Sequence, residues 1–133
     1  MRLAYVDTSC IIAVAFGEPD AGRVAALLGR FDRLFSSNLL EAEFRAAQVR
    51  EGATNDISML GAITWVIPER PLSAEIARVL AVGPLKGADT WHLACALSLD
   101  PSARELSFVT LDDRQGDVAR KIGFTVRPSP RHR

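Results

Sequence analysis

The sequence predicts an α/β fold, a three-layer arrangement in which a central, mostly parallel sheet lies between helices. Short apolar runs typical of buried strands alternate with longer segments of helical spacing, which is the pattern of repeated βα units. The chain has 133 residues, 48% of them hydrophobic, enough to bury the core of one domain. No repeat or low-complexity linker interrupts the pattern.

The first half of the chain opens on an apolar run, residues 3–6, which predicts a buried parallel strand. The apolar segment after it predicts a helix capped by Thr8 or Ser9. Gly17, Pro19 and Gly52 mark turns between the elements that follow. The elements predicted in this half are a strand (3–6), two helices (10–16 and 21–28), a strand (34–36), a long helix (38–50), a short helix (56–61) and a strand (63–67).

The second half continues the same alternation. Ser73 is predicted to cap a helix, and a loop containing Pro84 delivers Asp89 to the start of an almost wholly apolar helix. The predicted elements are two helices (73–82 and 90–99), a strand (106–110), a helix (113–122) and a last strand (124–126). We therefore predict a single domain over residues 1–128, with a flexible basic tail over residues 129–133.

Composition narrows the classes of function. The formal net charge is zero, which argues against strong nonspecific binding to nucleic acid or membranes, so a polyanion would be held by a local patch or through metal. Cys10 and Cys95 lie in apolar helical stretches without metal-type spacing, and we expect both to be buried thiols in a reducing compartment. No apolar run approaches membrane-spanning length, and the expected location is the cytoplasm.

Two acids follow predicted strands directly. Asp7 ends the first strand, and Asp112 follows the strand that ends at Thr110. Ligands of open α/β sheets bind at the carboxyl ends of the strands, so both positions suit chemistry. The simpler interpretations are that Asp7 caps a helix and that Asp112 is a turn residue.

Two further acids lie on predicted helices. The neighbours of Glu43 at helical spacing are apolar, so its carboxylate lies on or beside the buried face, where an unpaired charge is costly. Asp89 opens an apolar helix, whose N-terminus favours its ionised form. A structural salt bridge at Glu43 and an ordinary first-turn acid at Asp89 are the alternatives.

Taken together, the four acids Asp7, Glu43, Asp89 and Asp112 predict an oxygen-ligand cluster at one edge of the sheet. Carboxylates so close cannot all ionise without a cation. The oxygen-only set indicates Mg²⁺ or Mn²⁺ rather than zinc, and a hard ion in an acidic pocket suits phosphodiester chemistry. Asp113 and Asp117 are alternatives that could supplement or replace Asp112.

The motifs also resemble a known family. Asp7-Thr8-Ser9 after a first strand, Ser37 with Glu43 on the next long helix, the run from Ala88 to Leu97, and Thr110-Leu111-Asp112 resemble a PIN domain. The likeness spans nearly the whole chain and is greatest to the VapC-type ribonuclease toxins of bacterial toxin–antitoxin pairs. It implies that the four acids bind metal and catalyse endonucleolytic RNA cleavage by water, and that the protein forms a homodimer blocked by a small antitoxin.

Polar residues near the four acids are weaker candidates for a role in the site. Ser9 and Thr110 are candidates to orient the acids through hydrogen bonds. Arg45 and Lys86 are candidates for RNA phosphate contacts, although each also suits an ordinary ion pair. His92, on a large apolar surface, is predicted to be a packed, hydrogen-bonded side chain rather than a metal ligand.

A function of a different class is left open. A receiver-like domain could accept a phosphoryl group on Asp7 or Asp112, or a PIN fold could be retained only for binding. A receiver requires an acidic pair beside its first strand and a lysine at the end of a late strand, whereas this chain offers Asp7 alone and its lysines are Lys86 and Lys121.

Overall fold

A computed structural model describes residues 1–129. Its strands form one parallel sheet in the order β3-β2-β1-β4-β5, and helices cover both faces. The strands are β1 (Leu3–Val6), β2 (Arg33–Ser37), β3 (Ile63–Val66), β4 (Leu106–Val109) and β5 (Thr125–Arg127). The helices are α1 (Thr8–Ala15), α2 (Ala21–Leu28), α3 (Leu39–Arg50), α4 (Ser73–Val82), α5 (Gly87–Leu99) and α6 (Asp113–Ile122), with a 3-10 helix at Ser58–Ala62. The predicted three-layer α/β/α class is confirmed.

The alternating side chains of β1 point into two separate cores, one on each face of the sheet. Ala4 and Val6 pack in the core formed with α1, α2 and α3. Tyr5, between them, points to the opposite core, formed with α4, α5 and α6. Its ring stacks on that of Phe108 from β4, with centroids 5.4 Å apart and planes 5° from parallel. A strand covered on both faces must be apolar along its length, which explains the run at residues 3–6.

Successive strands are added on one side of β1 and then on the other, so the switch point of the sheet lies between β1 and β4. The chain moves to one side through β2 and β3, then returns to place β4 and β5 on the other side. The amide of Asp7 donates to the carbonyl of Val109 at 3.1 Å, so the carboxyl ends of β1 and β4 lie side by side. This is the position at which open α/β sheets leave a crevice for ligands.

Several predicted boundaries and caps are wrong. Thr8 and Ser9 do not cap α1, because Asp7 occupies the N-cap position and both hydroxyls bond to acidic side chains instead. Ser73 is the first residue of α4 and not its cap. Helix α5 begins at Gly87, three residues before the predicted start at 90, and the segment predicted as helix at 56–61 overlaps the 3-10 helix, which begins at Ser58 and ends at Ala62.

The last strand reaches Arg127, one residue beyond its predicted end at 126. Arg127 belongs to β5 and pairs with Val109 in the sheet. Of the predicted flexible tail, residues 130–133 lie outside the described residues, and the single domain over 1–128 stays a prediction. Within residues 1–129, no helix is long and apolar enough to cross a membrane.

Candidate active site

The four acids singled out in the sequence line one cleft of about 410 Å³ at the carboxyl edge of the sheet. They come from four separate elements: Asp7 follows β1, Glu43 lies on α3, Asp89 on α5, and Asp112 follows β4. We call this the acid cleft, and its lining is Asp7, Thr8, Ser9, Ile12, Glu43, Ala46, Arg50, Asp89, His92 and Asp112. The structure therefore brings together every member of the predicted acidic set.

Asp7 is the most buried of these acids, with 4% of its surface exposed. Ser9 Oγ donates to its Oδ1 at 2.5 Å, and Thr110 Oγ1 lies 2.9 Å from its Oδ2. Burial raises the pKa of Asp7 from 3.8 to about 6, and the two hydroxyls oppose that shift without cancelling it. Asp7 is thus held in one orientation, in a place where its negative charge lacks solvation.

Thr110 connects Asp7 to the rest of the cleft floor. Its hydroxyl accepts the amide N–H of Asp112 at 3.0 Å and lies 2.9 Å from the side-chain carbonyl of Gln115. Gln115 is fully buried, and its amide group donates to the backbone carbonyl of Asp89 at 3.2 Å. A buried polar chain therefore links three of the acids through Thr110 and Gln115.

Glu43 is held from two directions at a single oxygen. Thr8 Oγ1 donates to its Oε1 at 2.7 Å, and His92 Nε2 lies 3.0 Å from the same atom. The His92 hydrogen bond lowers the pKa of Glu43; burial opposes this, and the Thr8 hydroxyl adds to it. Its side chain is 34% exposed, so Glu43 reaches from the core into the open cleft.

His92 is the packed, hydrogen-bonded residue that the sequence predicts. It is 2% exposed, and both ring nitrogens have partners: Nε2 faces Glu43, and Nδ1 lies 2.8 Å from the hydroxyl of Tyr5. That hydroxyl also accepts the backbone N–H of Ser37 at 2.9 Å. Ser37 in turn accepts the indole N–H of Trp91 on its Oγ at 3.0 Å, which ties β2 to α5.

Asp89 and Asp112 form the more open side of the acid cleft. The carboxylate of Asp89 accepts no hydrogen bond from residues 1–129, whereas Asp112 is the N-cap of α6 and accepts the amide N–H of Gln115 at 2.8 Å. Burial raises the pKa of Asp89, and the negative charges of Asp112 and Glu43 act in the same direction. The acids thus interact electrostatically across the cleft.

The alternative acids face a different cavity. Asp113 and Asp117 line a neighbouring cleft of about 650 Å³ next to α6, and neither lines the acid cleft. Asp117 lies 3.2 Å from the ammonium of Lys121 and 3.8 Å from the guanidinium of Arg120. Asp112 lines both clefts, so of these three acids it is the one that shares a cleft with Asp7, Glu43 and Asp89.

The basic residue that lines the acid cleft is not one of the two candidates that the sequence offers for RNA phosphate contacts, Arg45 and Lys86. Arg45 pairs with Glu41 at 3.0 Å on the exposed side of α3, outside the acid cleft. Lys86 is exposed just before α5, and its charge slightly opposes the raised pKa of Asp89. The cation that lines the acid cleft is Arg50, which has no ion-pair partner among residues 1–129.

Three residues at or below the site were not singled out by the sequence patterns. Arg50 follows Glu43 by seven residues and therefore shares its helix face, a spacing that would have revealed it. Gln115 shares a helix face with Val118 and Ala119, where a polar side chain needs a buried partner. Tyr5 carries a hydroxyl inside an apolar strand, which is the same kind of signal.

The donor set suits a hard divalent ion, but the acids are not drawn together around one point. Within residues 1–129, no three carboxylate, imidazole or thiol side chains are close enough to hold one ion as they stand. Mg²⁺ keeps several of its waters and is commonly bound through one or two carboxylates, so a wide carboxylate cleft remains compatible with it. Three of the four acids present unused oxygens: Glu43 Oε2, Asp112 Oδ2 and both carboxylate oxygens of Asp89 accept no hydrogen bond from the described residues.

Fold and site together define an α/β protein with a carboxylate cleft at the switch point of a parallel sheet. The family model described as PIN domain matches residues 4–121, and the chain belongs to the PIN domain family. PIN domains are generally metal-dependent nucleases. No relative of the chain was found among curated proteins.

Proposed function

We propose that this chain is a metal-dependent endoribonuclease of the VapC type, the toxin of a toxin–antitoxin pair. The observation that carries the proposal is the convergence of Asp7, Glu43, Asp89 and Asp112 on one cleft from four different elements. Membership of the PIN domain family supports nuclease chemistry. Hydrolysis of an RNA phosphodiester by water is the reaction that such a cleft suits.

The four acids would hold Mg²⁺ or Mn²⁺, which orients a water, lowers its pKa and offsets the charge on the phosphate. Ser9 and Thr110 fix the Asp7 carboxylate, and Thr8 and His92 fix that of Glu43. Asp89 and Asp112 stay open to solvent at the other side. Hydrogen-bond donors thus hold the carboxylates of Asp7 and Glu43, while the mouth of the cleft at Asp89 and Asp112 remains accessible to an RNA strand.

Arg50 is the residue of this cleft best suited to contact the phosphate backbone. It is exposed, it lines the cleft two helical turns from Glu43, and its guanidinium has no ion-pair partner within residues 1–129. Arg45, committed to Glu41, is less suited to this role. Lys86 remains a second candidate at the start of α5.

The partners follow from the same proposal. The carboxylates of the acid cleft favour an antitoxin that enters it with a basic side chain and blocks it. A homodimer and a cytoplasmic location belong to the proposed toxin role. Purification with and without a co-expressed antitoxin, followed by measurement of molar mass, checks both the partner and the dimer.

A second candidate is a noncatalytic PIN domain that only binds. The observation that favours it is the wide spacing of the acids, since no three in the described chain converge on one point. A receiver-like phospho-acceptor at Asp7 or Asp112 belongs to the same class. Labelling of the protein by a small phosphodonor would support the receiver, and it would contradict the nuclease if no RNA were cut.

The decisive experiment incubates the antitoxin-free protein with a set of structured RNAs in Mg²⁺, in Mn²⁺ and in chelator. We expect discrete cleavage products with either ion and none with chelator. The Asp7→Asn variant, purified identically, controls for contaminating nucleases, because contamination would cut equally in both preparations. Metal-dependent cleavage that persists in Asp7→Asn would overturn the assignment of the site.

A further inference from the structure

We propose that Tyr5, acting through His92, is a positioning residue that orients the Glu43 carboxylate for the ion. A line of hydrogen bonds runs from the backbone of β2 through the Tyr5 hydroxyl and the His92 ring to Glu43 Oε1. The inference deepens the proposed function and rests on it in one respect, that Glu43 contributes to metal binding.

The direction of each hydrogen bond follows from counting protons. The Glu43 carboxylate can only accept, so His92 Nε2 carries a proton and donates to Oε1 at 3.0 Å. In the neutral ring Nδ1 then has no proton, and it accepts the proton of the Tyr5 hydroxyl at 2.8 Å. The Tyr5 oxygen in turn accepts the Ser37 amide N–H at 2.9 Å. The Tyr5 hydroxyl therefore stabilises the tautomer that donates to Glu43.

The hydrogen bonds to Glu43 reach only one of its two carboxylate oxygens. His92 and Thr8 both donate to Oε1, whereas Oε2 accepts no hydrogen bond from residues 1–129. Two donors at one oxygen fix the rotation of the carboxylate and leave the other oxygen directed into the cleft. This is the arrangement expected when buried donors orient a metal ligand.

The burial of the line argues against two simpler roles. Tyr5 is 0% and His92 2% exposed, and a core needing only volume would avoid polar atoms that must each find a partner. Direct metal binding by His92 would require loss of its contact with either Tyr5 or Glu43. A positioning role for Tyr5 and His92 retains all of these hydrogen bonds.

The first measurement concerns the free protein. Nitrogen-15 NMR of the His92 ring is expected to show a protonated Nε2 and an unprotonated Nδ1 in the wild type. In Tyr5→Phe, which keeps the ring stacked on Phe108 but lacks the hydroxyl, we expect a mixture of tautomers. A wild-type ring protonated on Nδ1 alone would overturn the proposal, with or without nuclease activity.

The second measurement is Mn²⁺ affinity, followed by electron paramagnetic resonance or calorimetry without RNA. Tyr5→Phe and His92→Leu are expected to weaken Mn²⁺ binding by about tenfold or more, the usual effect of removing such an orienting group. His92→Gln, which retains an amide donor toward Glu43, should restore affinity to within about threefold of the wild type. In cleavage assays kcat should fall while KM for RNA changes little.

Phe108→Leu is the matched control, because it disturbs the same core beside Tyr5 without breaking the line. If Tyr5→Phe and His92→Leu bind Mn²⁺ like the wild type, and lose only the stability that Phe108→Leu loses, the positioning role is wrong and the proposed function stands. If the wild type itself binds no Mn²⁺, the proposed function is wrong and this inference fails with it.

Discussion

The strand-end half of the acid cleft differs from its helical half in how its acids are held. Asp7 and Asp112 share one local support, the Thr110 hydroxyl, which contacts the carboxylate of the first and the amide of the second. Glu43 and Asp89 share no such hydrogen-bond donor within residues 1–129, and Glu43 depends on His92, a core residue reached through Tyr5. Strand-end acids are placed by the sheet itself, whereas helical acids need tertiary contacts to complete their geometry.

The two halves also differ in the direction in which the pKa of a buried carboxylate is shifted, as Asp7 and Glu43 show. Burial raises the pKa of Asp7 to about 6, although two hydroxyls donate to it. In Glu43 the His92 hydrogen bond outweighs burial, and its pKa is lowered. The balance between desolvation and donors therefore decides which acid is costly to ionise in the folded protein.

The largest expected effect is the loss of cleavage on replacing Asp7 in the strand-end half or Asp89 in the helical half. Stability should rise in the same variants. Asp7→Asn and Asp89→Asn should each reduce metal-dependent cleavage by about 1000-fold. At pH 7.5 Asp7→Asn should also unfold at higher temperature than the wild type, because it removes a buried charge, whereas Asp89→Asn should gain less. Cleavage assays and thermal melts in chelator measure both. Near wild-type activity in either variant would contradict the site.

The contribution of Asp7 to stability should fall as the pH rises through the weakly acidic range. The pKa of Asp7 is about 6 in the folded protein against 3.8 ordinarily, so the unfolded chain releases this proton first, between about pH 4 and 6. The folded state loses ~3 kcal/mol relative to the unfolded state across that window, given about 1.4 kcal/mol for each unit of pKa.

Urea unfolding of the wild type and of Asp7→Asn between pH 4 and 7.5, in chelator, checks this dependence. Their difference in free energy of unfolding isolates Asp7 from the other titrating groups. A difference that does not change with pH would show that burial does not raise the pKa of Asp7. Added Mn²⁺ should reduce the loss at high pH, since the ion favours the ionised carboxylate.

A substitution at the strand-end half resolves the choice between adjacent acids. Asp112→Asn should reduce cleavage by about 30-fold, or ~2 kcal/mol of transition-state stabilisation. Stability should change by less than about 0.5 kcal/mol, because asparagine is an equally good N-cap. Asp113→Asn, one residue away but facing the other cleft, is the control and should retain activity. The reverse pattern would transfer the role to Asp113.

The smallest expected effect lies on α3 and concerns substrate binding. Arg50→Ala should raise KM for RNA about tenfold, or ~1.4 kcal/mol, with kcat nearly unchanged. Arg45→Ala removes an equal charge from the same helix, on the side that pairs with Glu41, and should leave KM close to that of the wild type. Equal effects of the two substitutions would indicate nonspecific attraction rather than a contact in the cleft.

Sequence patterns locate the acids better than they locate their supports. Asp7 and Asp112 follow strands whose apolar runs are unambiguous, and the apolar neighbours of Glu43 reveal its inward position. The contact between Glu43 and His92 joins residues 49 positions apart, and no local pattern encodes such a pairing.

The errors at the starts of α1 and α5 have different physical causes. Thr8 and Ser9 have the composition of N-caps, yet their hydroxyls serve Glu43 and Asp7. The start of α5 at Gly87 was missed because the loop signals of Pro84 and Gly87 outweigh helix propensity in a local interpretation. The contact of Thr8 with Glu43 joins residues 35 positions apart, and it becomes visible only once the acid cleft is assembled.

The Tyr5 and His92 pair also has an evolutionary consequence. Selection for folding alone would tolerate leucine in place of His92, and phenylalanine in place of Tyr5 would cost folding only the acceptor of the Ser37 amide. Selection for a working acid at position 43 would not. Relatives that have lost the acid are therefore expected to drift toward an apolar pair here, so that two core positions distinguish functional copies of the domain from decayed ones.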